Sequence, residues 1–554
     1  MNEYLKSNSG LEVVKINGYL THSIYNPIKE AEKFVEKNIE DVQIHFIYGY
    51  GNGYIVKKFL ENNIFNTRYI IIDPFIDISS LQDENADFIF FQDINLLKEK
   101  IRAYITINNN IKVTCSLNYD KIDPSLYLDF LNMLKELMSL SKVNENTVLV
   151  RAYLWYENYL NNLIYEDSSI VNLKKITNMP IVVASGGPSL TKQLPLLKKY
   201  RKHLILISAG STTNSLVSEN IIPDFVLSID GHLRNYEHFK LLNFDENTKF
   251  IYSMYSYPKI RESFLEGYYF LDKSAETLGT HLYKNKGEET VILNGGGSVA
   301  HYALIFATYI TTGPICLIGQ DLAYTDGKSH AKNNVFAKEM TKQENANLLE
   351  IEGYYGDTVL TDYMFLSMKR SFEGLMENID KNSIYNCTEG GALIKGMPNE
   401  TFNHFCEMYV ELDKTFSFKK VAKKGQTNVL FKALKKEQEN YLEIEKAINS
   451  NLTLIKKAKK LNAYTNDILR KMDRNDLDIK KITEYTALPI AFQPISINVH
   501  RNFKRHIHET QKMKLMHSFE ENEFLYTEMK NVLLVGKEKI HEYIKKVGEN
   551  EHEH

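Results

Sequence analysis

Continuous apolar runs of strand length alternate with segments of helical spacing up to about residue 400. Such runs are typical of strands that are covered on both faces of a mostly parallel sheet. They predict strands over residues 42–48, 68–73, 179–184, 203–208, 224–230, 250–254, 268–271 and 315–318. The pattern therefore predicts the α/β fold class.

Helical spacing dominates the remaining stretches. Apolar residues three and four positions apart predict helix around 125–175, where a helical segment can bridge two α/β domains. Beyond about residue 410 the chain is predicted to be almost entirely helical. Its clearest signal is an amphipathic seven-residue repeat of Leu434, Tyr441, Ile448 and Ile455.

Four smaller predictions complete the outline. A charged helix is predicted to end near Glu350, and a second helix to cover about 361–379. Two prolines within 488–497 predict an interruption of the C-terminal helices. Helix is predicted to resume over about 504–547.

The composition of the 554-residue chain is that of an ordinary globular protein, with 43% hydrophobic and 25% charged residues. Its 67 basic and 70 acidic residues give a net charge of −3, so we expect no nucleic-acid partner. The sequence has no run of about 18 apolar residues and no apolar leader, which predicts a cytoplasmic protein without membrane insertion. Its widely spaced cysteines, expected to be reduced, argue against a zinc site and are Cys115, Cys316, Cys387 and Cys406.

A glycine turn follows the apolar run that ends near Ala184. Gly186 and Gly187 allow close approach of a ligand, and Ser189 is suited to cap the helix that follows. The amide groups at such a helix start favour a phosphate. The alternative is an ordinary connection between a strand and a helix.

Other predicted strands also end in small or polar residues. Because the carboxyl ends of parallel strands share one edge of a sheet, we expect these residues to converge there. They are Gly186, Gly187, Ser189, Ser208, Ser211, Asp230, Gly231, His232, Gly319, Gln320 and Asp321. A second glycine-rich helix start at 294–298 is suited to another phosphate or carboxylate contact.

Three further features have both a functional and a structural interpretation. The glycines of 49–53, with Asp73 at the end of the next strand, imitate a dinucleotide or adenosylmethionine site, or they serve packing alone. His330, in a polar loop, is suited to proton transfer or is merely exposed. The turn 388–391 presents a carboxylate to a substrate or forms a structural corner.

Several of these motifs, in this order, resemble the motility accessory factors, proteins that modify bacterial flagellin. The resemblance is carried by residues 184–190, 227–232, 295–298, 317–324 and 388–391. That family is similar in turn to bacterial sialyltransferases. The resemblance implies transfer of a nonulosonic (sialic-acid-like) acid, such as pseudaminic or legionaminic acid, from a CMP-activated donor to Ser or Thr of flagellin, a step in flagellum assembly and motility.

The strand ends and the resemblance together assign candidate site residues. His330 is the first candidate base, with Asp321 and Asp230 behind it. The expected donor-binding residues are Gly186, Gly187, Pro188, Ser189, Ser208, Asp230, Gly297, Ser298, Gly319, Gln320 and Asp321. The expected contacts to sugar or acceptor are His232, Tyr324, Thr388 and Glu389.

No cofactor other than the CMP-activated donor is expected. The sequence has one Asp-x-Asp pair, Asp476 and Asp478, and it lies far from the other motifs in the helical C-terminal stretch. A metal-dependent nucleotide-sugar mechanism is therefore not supported, and no metal ligands are assigned.

Four stretches follow from this interpretation. They are a Rossmann-like N-terminal domain at 1–130, a helical connector at 131–175, a sialyltransferase-like catalytic domain at 176–405, and an all-helical acceptor-docking domain at 406–554. Two alternatives remain open. The central part also resembles an archaeal pterin pyrophosphokinase group, although the long flanking stretches favour a macromolecular acceptor. A non-enzymatic flagellin-binding factor is the other alternative.

Overall fold

The computed structural model describes residues 2–106, 109–165, 167–273, 276–325, 327–332, 334, 348–379, 383–418, 427–503 and 510–552. The chain forms two compact units. The first comprises Met1–Ala152, Ile448–Asn475 and Phe492–Asn531. The second comprises Tyr153–Ala447, Asp476–Ala491 and Val532–His554. Residues of the C-terminal stretch thus belong to both units.

The first unit contains two small sheets. The antiparallel sheet consists of β1 (Asn2–Lys6), β2 (Glu12–Ile16) and β3 (Tyr19–Leu20). The second sheet is parallel, with the order β6-β5-β4-β7, and consists of β4 (Ile44–Tyr48), β5 (Arg68–Asp73), β6 (Ala86–Phe90) and β7 (Ile111–Cys115). Its helices are α1 (Pro27–Asn38), α2 (Tyr54–Glu61), α3 (Ile94–Arg102), α4 (Tyr119–Ile122) and the start of α5 (Pro124–Leu163).

The glycine loop 49–53 of this unit is filled by its own side chains. Asp73 is fully buried and accepts hydrogen bonds from the Tyr50 amide at 2.8 Å and the Tyr119 hydroxyl at 2.6 Å. The same hydroxyl accepts the Gly51 amide at 2.8 Å. A Cβ on Gly49 would lie 2.4 Å from the Tyr119 ring. The structure therefore favours the packing interpretation of these glycines over the ligand site.

The second unit is built on a nine-stranded sheet within the described residues. Its main path runs β14-β13-β12-β11-β10-β9-β15-β18, with β8 beside β13, and every pairing is parallel. The strands are β8 (Ser168–Ser169), β9 (Ile181–Ala184), β10 (Ile205–Ala209), β11 (Phe225–Ser228), β12 (Lys249–Ser253), β13 (Gly267–Asp272), β14 (Ile292–Leu293), β15 (Ile315–Ile318) and β18 (Ile384–Asn386). The α/β class and the parallel sheets predicted from the apolar runs are confirmed.

Helices cover both faces of this sheet. They are α6 (Leu190–Tyr200), α7 (Thr212–Ser218), α8 (Leu233–Tyr236), α9 (Glu276–Lys286), α10 (Val299–Ile310), α11 (Tyr363–Asn378) and α12 (Phe402–Tyr409). A separate hairpin is formed by β16 (Leu349–Glu352) and β17 (Thr358–Thr361). One apolar core lies between the sheet and α10, and a second lies between the sheet and α6.

The order of the strands reverses at β9. From β9 the chain adds β10 to β13 on one side, and β15 and β18 on the other. In open parallel sheets, a crevice forms at such a reversal beyond the carboxyl ends of the strands. Here it lies between the turn after β9 and the turn after β15.

The C-terminal stretch is helical, with α13 (Thr427–Leu461), α14 (Asn466–Thr483), α15 (Leu488–Asn502) and α16 (Gln511–His552). The interruption predicted over 488–497 is wrong, since α15 runs through both of its prolines. Pro489 lies in the first turn, where a missing amide costs nothing. Pro494 is tolerated because its neighbours Ile490 and Ile495 are buried.

Other predictions for helices differ in outcome. The helix predicted over 361–379 is confirmed as α11. Most of the charged helix predicted to end near Glu350 lies outside the described residues, and the chain forms β16 at its predicted end. None of the helices in the described ranges combines the length and hydropathy that a bilayer crossing requires.

The glycine loop of the first unit generates a stability prediction. We expect Gly49→Ala to destabilise the unit strongly, because φ is +100° and the new Cβ would clash with Tyr119. The matched control is Gly18→Ala, where φ is +89° and nothing lies within 4 Å. The control should lower the free energy of unfolding by about 1–2 kcal/mol, the cost of a left-handed backbone at a residue with a Cβ. At Gly49, overpacking against Tyr119 should add a further loss of about 1–3 kcal/mol. Thermal unfolding followed by circular dichroism measures both, and equal shifts would contradict the packing role.

Candidate functional site

A cleft of about 300 Å³ lies at the carboxyl ends of β9, β10, β11 and β15. It is closed on one side by the start of α10 and on another by Met364, Phe365 and Met368 of α11. Half of the predicted residues line this cleft, at the edge that the strand-end rule indicates. Those that line it are Gly186, Gly187, Ser211, Asp230, Ser298, Gly319, Gln320, Asp321 and His330.

Asp321 and Ser189 bind each other across the crevice between β9 and β15. The Ser189 hydroxyl donates to Asp321 Oδ1 at 2.7 Å, and the Ser189 amide donates to both carboxylate oxygens at 3.2 and 3.3 Å. Thr325 adds a third donor at 2.7 Å. Burial raises the pKa of Asp321, while these hydrogen bonds act in the opposite direction. A carboxylate of the protein itself therefore lies at the N-terminus of α6.

The start of α6 is saturated by intramolecular hydrogen bonds. The Gly187 amide donates to the Gly319 carbonyl at 2.7 Å. The next amides are engaged in the first turn, where Leu190, Thr191 and Lys192 donate to the carbonyls three residues earlier. Ser189 does not cap the helix with its side chain, in contrast to the sequence interpretation. The amides from Gly187 to Lys192 therefore serve the fold.

Glycines at this crevice allow backbone segments to touch. A Cβ on Gly187 would lie 2.1 Å from Asp321 Oδ2, and one on Gly390 would lie 2.3 Å from Ser189 Oγ. Gly391, with φ of +70°, would place its Cβ 2.2 Å from the Asp321 carbonyl oxygen. The turn 388–391 thus packs beneath the carboxylate, as expected for a structural corner.

Gln193 of α6 joins the loop after β15 to the loop after β18, and no sequence motif had marked it. Its Oε1 accepts the Gly319 amide at 3.1 Å, and its Nε2 donates to the Thr388 carbonyl at 3.1 Å. Thr388 Oγ1 in turn accepts the Gln320 amide at 3.1 Å. The Ser185 hydroxyl holds the Gln320 side chain at 2.6 Å.

The turn after β10 lies on the open side of the cleft. Gly210 adopts φ of +53°, and Ser211 and Thr212 follow it along the cleft wall. A Cβ on Gly186 would lie 3.2 Å from Thr212 Oγ1 and 2.9 Å from the amide of Asn334, so Gly186 is needed for this close approach. Thr212 was not predicted as a site residue.

The N-terminus of α10 faces the same cleft. Ser298 caps the helix, since its side chain accepts the His301 amide at 3.3 Å. Val299 and Ala300 of the first turn line the cleft. Amides of the first turn have no partner within a helix, and the helix dipole is positive at this end. This terminus, predicted from the glycines before it, is therefore positioned to meet an anion.

Two histidines line the cleft. His330, which was predicted, is partly exposed, and Ser329 Oγ lies 3.0 Å from its Nδ1. Burial lowers the pKa of His330. His238, which was not predicted, is only 3% exposed. Its pKa is lowered by burial and then by the charges of Arg234 and His330.

The remaining predicted residues lie outside the cleft lining. Ser208 is fully buried against Thr213, and Tyr324 donates to Asp362. Exposed His232 caps α8, and Glu389 accepts the Phe402 amide at the start of α12. The others are Pro188, Ser189, Gly297 and Thr388.

A larger hollow of about 870 Å³ lies along β6 in the first unit. Its polar side chains are engaged with each other. Asp87 accepts Arg68 Nε at 2.8 Å and the Tyr104 hydroxyl at 2.9 Å. The smaller cleft of the second unit is the better candidate, because its polar groups converge on open space.

The first comparison concerns the class of the central part of the chain. A family model described as "6-hydroxymethylpterin diphosphokinase MptE-like" matches residues 155–327. The match covers β9 to β15 and the turns that build the cleft, and it is shorter than half of the chain. The second unit is therefore similar to MptE-like domains. A search of curated protein sequences finds no match.

The second comparison concerns the whole chain. A solved structure, the MAf glycosyltransferase from Magnetospirillum magneticum AMB-1, is similar to it with a TM-score of 0.61 and 13% sequence identity. The similarity covers 99% of this chain and 93% of the other. The resemblance to the motility accessory factors is confirmed in fold over nearly the entire length.

The crevice generates a second stability prediction. Asp321→Ala should lower the melting temperature of the second unit, because it leaves Ser189 and Thr325 without their acceptor. Each buried donor left unpaired costs about 1–3 kcal/mol. Asp230→Ala, which removes a carboxylate from the exposed side of the cleft, is the control and should melt as the wild type does. If the two variants melt alike, the crevice does not depend on Asp321.

Proposed function

We propose that this chain is a cytoplasmic glycosyltransferase that moves a nonulosonic acid, such as pseudaminic or legionaminic acid, from a CMP-activated donor to Ser or Thr hydroxyls of flagellin. The observation that carries the proposal is the polar cleft at the sheet edge, in a chain with the fold of a solved glycosyltransferase. The motifs that resemble motility accessory factors supply the donor and acceptor classes. The helical stretch 406–554 is proposed to dock the acceptor.

The chemistry requires stabilisation of a departing phosphate. CMP leaves with its bonding electrons on a phosphate oxygen, and preorganised dipoles lower the barrier to that departure. Because the α6 amides are engaged, we place the phosphate toward the start of α10 and the hydroxyls of Ser211 and Thr212. Gly186 and Gly187 serve the packing of the turn beside it, since a Cβ on either would meet Asn334 or Asp321.

His330 is the proposed base. Removal of the acceptor hydroxyl proton requires an unprotonated group near neutral pH. Burial lowers the pKa of His330, so the imidazole is neutral at pH 7 and able to accept that proton. Asp321 is a poorer candidate, since its carboxylate is buried among three donors. Asp230 remains a second carboxylate at the cleft.

The proposed transfer needs no divalent cation. Helix N-termini and hydroxyls are able to meet the charge of a phosphate monoester. Asp321, the buried carboxylate of the cleft, is engaged by the donors of Ser189 and Thr325, which supports this part of the proposal.

A second candidate is pyrophosphoryl transfer to a pterin, which the family-model match over 155–327 favours. That reaction would require ATP and magnesium. The likeness to a glycosyltransferase extends over 99% of this chain, well beyond the matched region. We therefore rank the pterin reaction second.

The decisive experiment is the intact mass of flagellin after incubation with the protein and a panel of CMP-activated nonulosonic acids, without added metal. We expect one sugar increment for each modified site. His330→Gln should slow the transfer about 100-fold or more, the usual contribution of a general base. His404→Gln, an exposed histidine on α12, should behave as the wild type.

Two results would redirect the proposal. Stable co-purification with flagellin, without any increment, would favour the binding factor. Consumption of ATP and a hydroxymethylpterin in the presence of magnesium would favour the pyrophosphokinase.

The pH dependence tests the base separately. Because the pKa of His330 lies below its usual 6.5, kcat/KM should be level above pH 6.5 and fall as pH drops through the lowered pKa. His238 and Asp230 share the cleft with His330, so the fall of kcat/KM at low pH reports several coupled groups. The part of that fall that is due to His330 should be absent when the residual kcat/KM of His330→Gln is measured against pH. A rate that instead rises on acidification would contradict a neutral imidazole base.

A further inference from the structure

His238 is the cleft residue that the proposed reaction has not yet used. It follows α8, is 3% exposed, and lines the same cleft as His330. Its sequence neighbours are Glu237 and Phe239, and nothing in that context marks it as a site residue. Only the tertiary fold brings it to the carboxyl ends of the strands.

The backbone of His238 is held from two sides. Its amide donates to the Asn235 carbonyl at 3.2 Å, and its carbonyl accepts Asn214 Nδ2 of α7 at 2.8 Å. The Asn235 side chain donates to Ser228 Oγ at 2.7 Å, at the end of β11. These contacts position the backbone of His238 relative to the strand ends.

The loop that carries Asp230, on the same wall of the cleft as His238, is held by hydrogen bonds from α5. Asn158 of α5 donates to the carbonyls of Gly231 at 3.0 Å and Tyr255 at 2.9 Å. A Cβ on Gly231 would lie 2.5 Å from the Asn158 side-chain nitrogen, so glycine is required where the loop meets α5. The loop that follows Asp230 is thus tied to α5 by hydrogen bonds.

The charges in the cleft are unusual for a phosphate site. Among its lining residues in the described part of the chain there is no lysine or arginine. Burial, followed by Arg234 and His330, lowers the pKa of His238, while Glu237 and Asp230 act in the opposite direction. A neutral imidazole still has one N–H to donate. Within the described residues, the groups of the cleft lining that can donate to an anion therefore include the imidazole of His238, the hydroxyls of Ser211 and Thr212, and the amides at the start of α10.

We propose that His238 donates a hydrogen bond to the phosphate of the departing nucleotide, while His330 takes the proton of the acceptor hydroxyl. This inference rests on the proposed function and assigns its two histidines different tasks. The acceptor is a protein and must approach from solvent, where the partly exposed His330 lies. A small nucleotide donor reaches deeper into the cleft than a protein acceptor does, so we assign the more deeply buried His238 to the donor.

The step balances with these two groups. The acceptor oxygen forms a bond to the anomeric carbon, and its proton moves to His330. The bond from that carbon to the phosphate oxygen breaks, and the electron pair remains on the oxygen. His238 stabilises that oxygen by hydrogen bonding, and CMP leaves.

Calorimetric titration with CMP and with cytidine tests the assignment without requiring transfer. We expect the wild type to bind CMP more tightly than cytidine. His238→Gln should weaken CMP binding about tenfold or more and leave cytidine binding unchanged, since one hydrogen bond to a charged group is lost. The exposed control His404→Gln should bind both ligands as the wild type does. His238→Asn and the melting temperatures of all variants check that the fold is intact.

The outcomes distinguish the role inferred for His238 from the proposed function. Equal loss of CMP and cytidine affinity, with a lowered melting temperature, would show a structural role for His238 and overturn the inference. Unchanged CMP binding in both His238 variants would overturn it as well, and would leave the proposed function intact. A wild type without preference for CMP over cytidine would remove the CMP donor class, and the phosphate contact with it.

Discussion

The edge of the central sheet depends on the hydrogen bonds between Asp321 and Ser189. A buried carboxylate is costly unless donors surround it, and here three donors do so. The arrangement joins the turn after β9 to the turn after β15, where the strand order reverses. It also explains why Gly187, Gly390 and Gly391 have no side chain, since a Cβ at any of them would overlap this group.

Because the protein fills this crevice itself, the open cleft lies over β10, β11 and the start of α10. Its walls are a glycine turn, hydroxyls, a helix N-terminus and two imidazoles. Such groups recognise an anion through dipoles and hydrogen bonds rather than through fixed positive charge. They are the groups to which we assign the phosphate of the proposed donor.

Local rules explain which predictions succeeded. The strand over 68–73 and the helix that starts after residues 294–298 were correct, because each has a continuous apolar pattern and a clear terminus. The interruption predicted from the prolines of α15 was wrong, since burial of Ile490 and Ile495 outweighs the free-energy cost of proline in a helix. For the glycine loops, the sequence indicates a tight turn but not what lies against it. Tyr119 fills one loop, and Asp321 fills the other.

The sequence by itself determined the α/β class, the parallel order of strands and helices, and the edge at which polar residues gather. Those properties follow from periodicity and from the geometry of parallel sheets. Only the tertiary structure decided that Ser189 and Asp321 bind each other and that His238 lines the cleft. Hydrogen-bond partners and burial depend on contacts between residues distant in sequence, such as Ser189 and Asp321, and no local pattern encodes them.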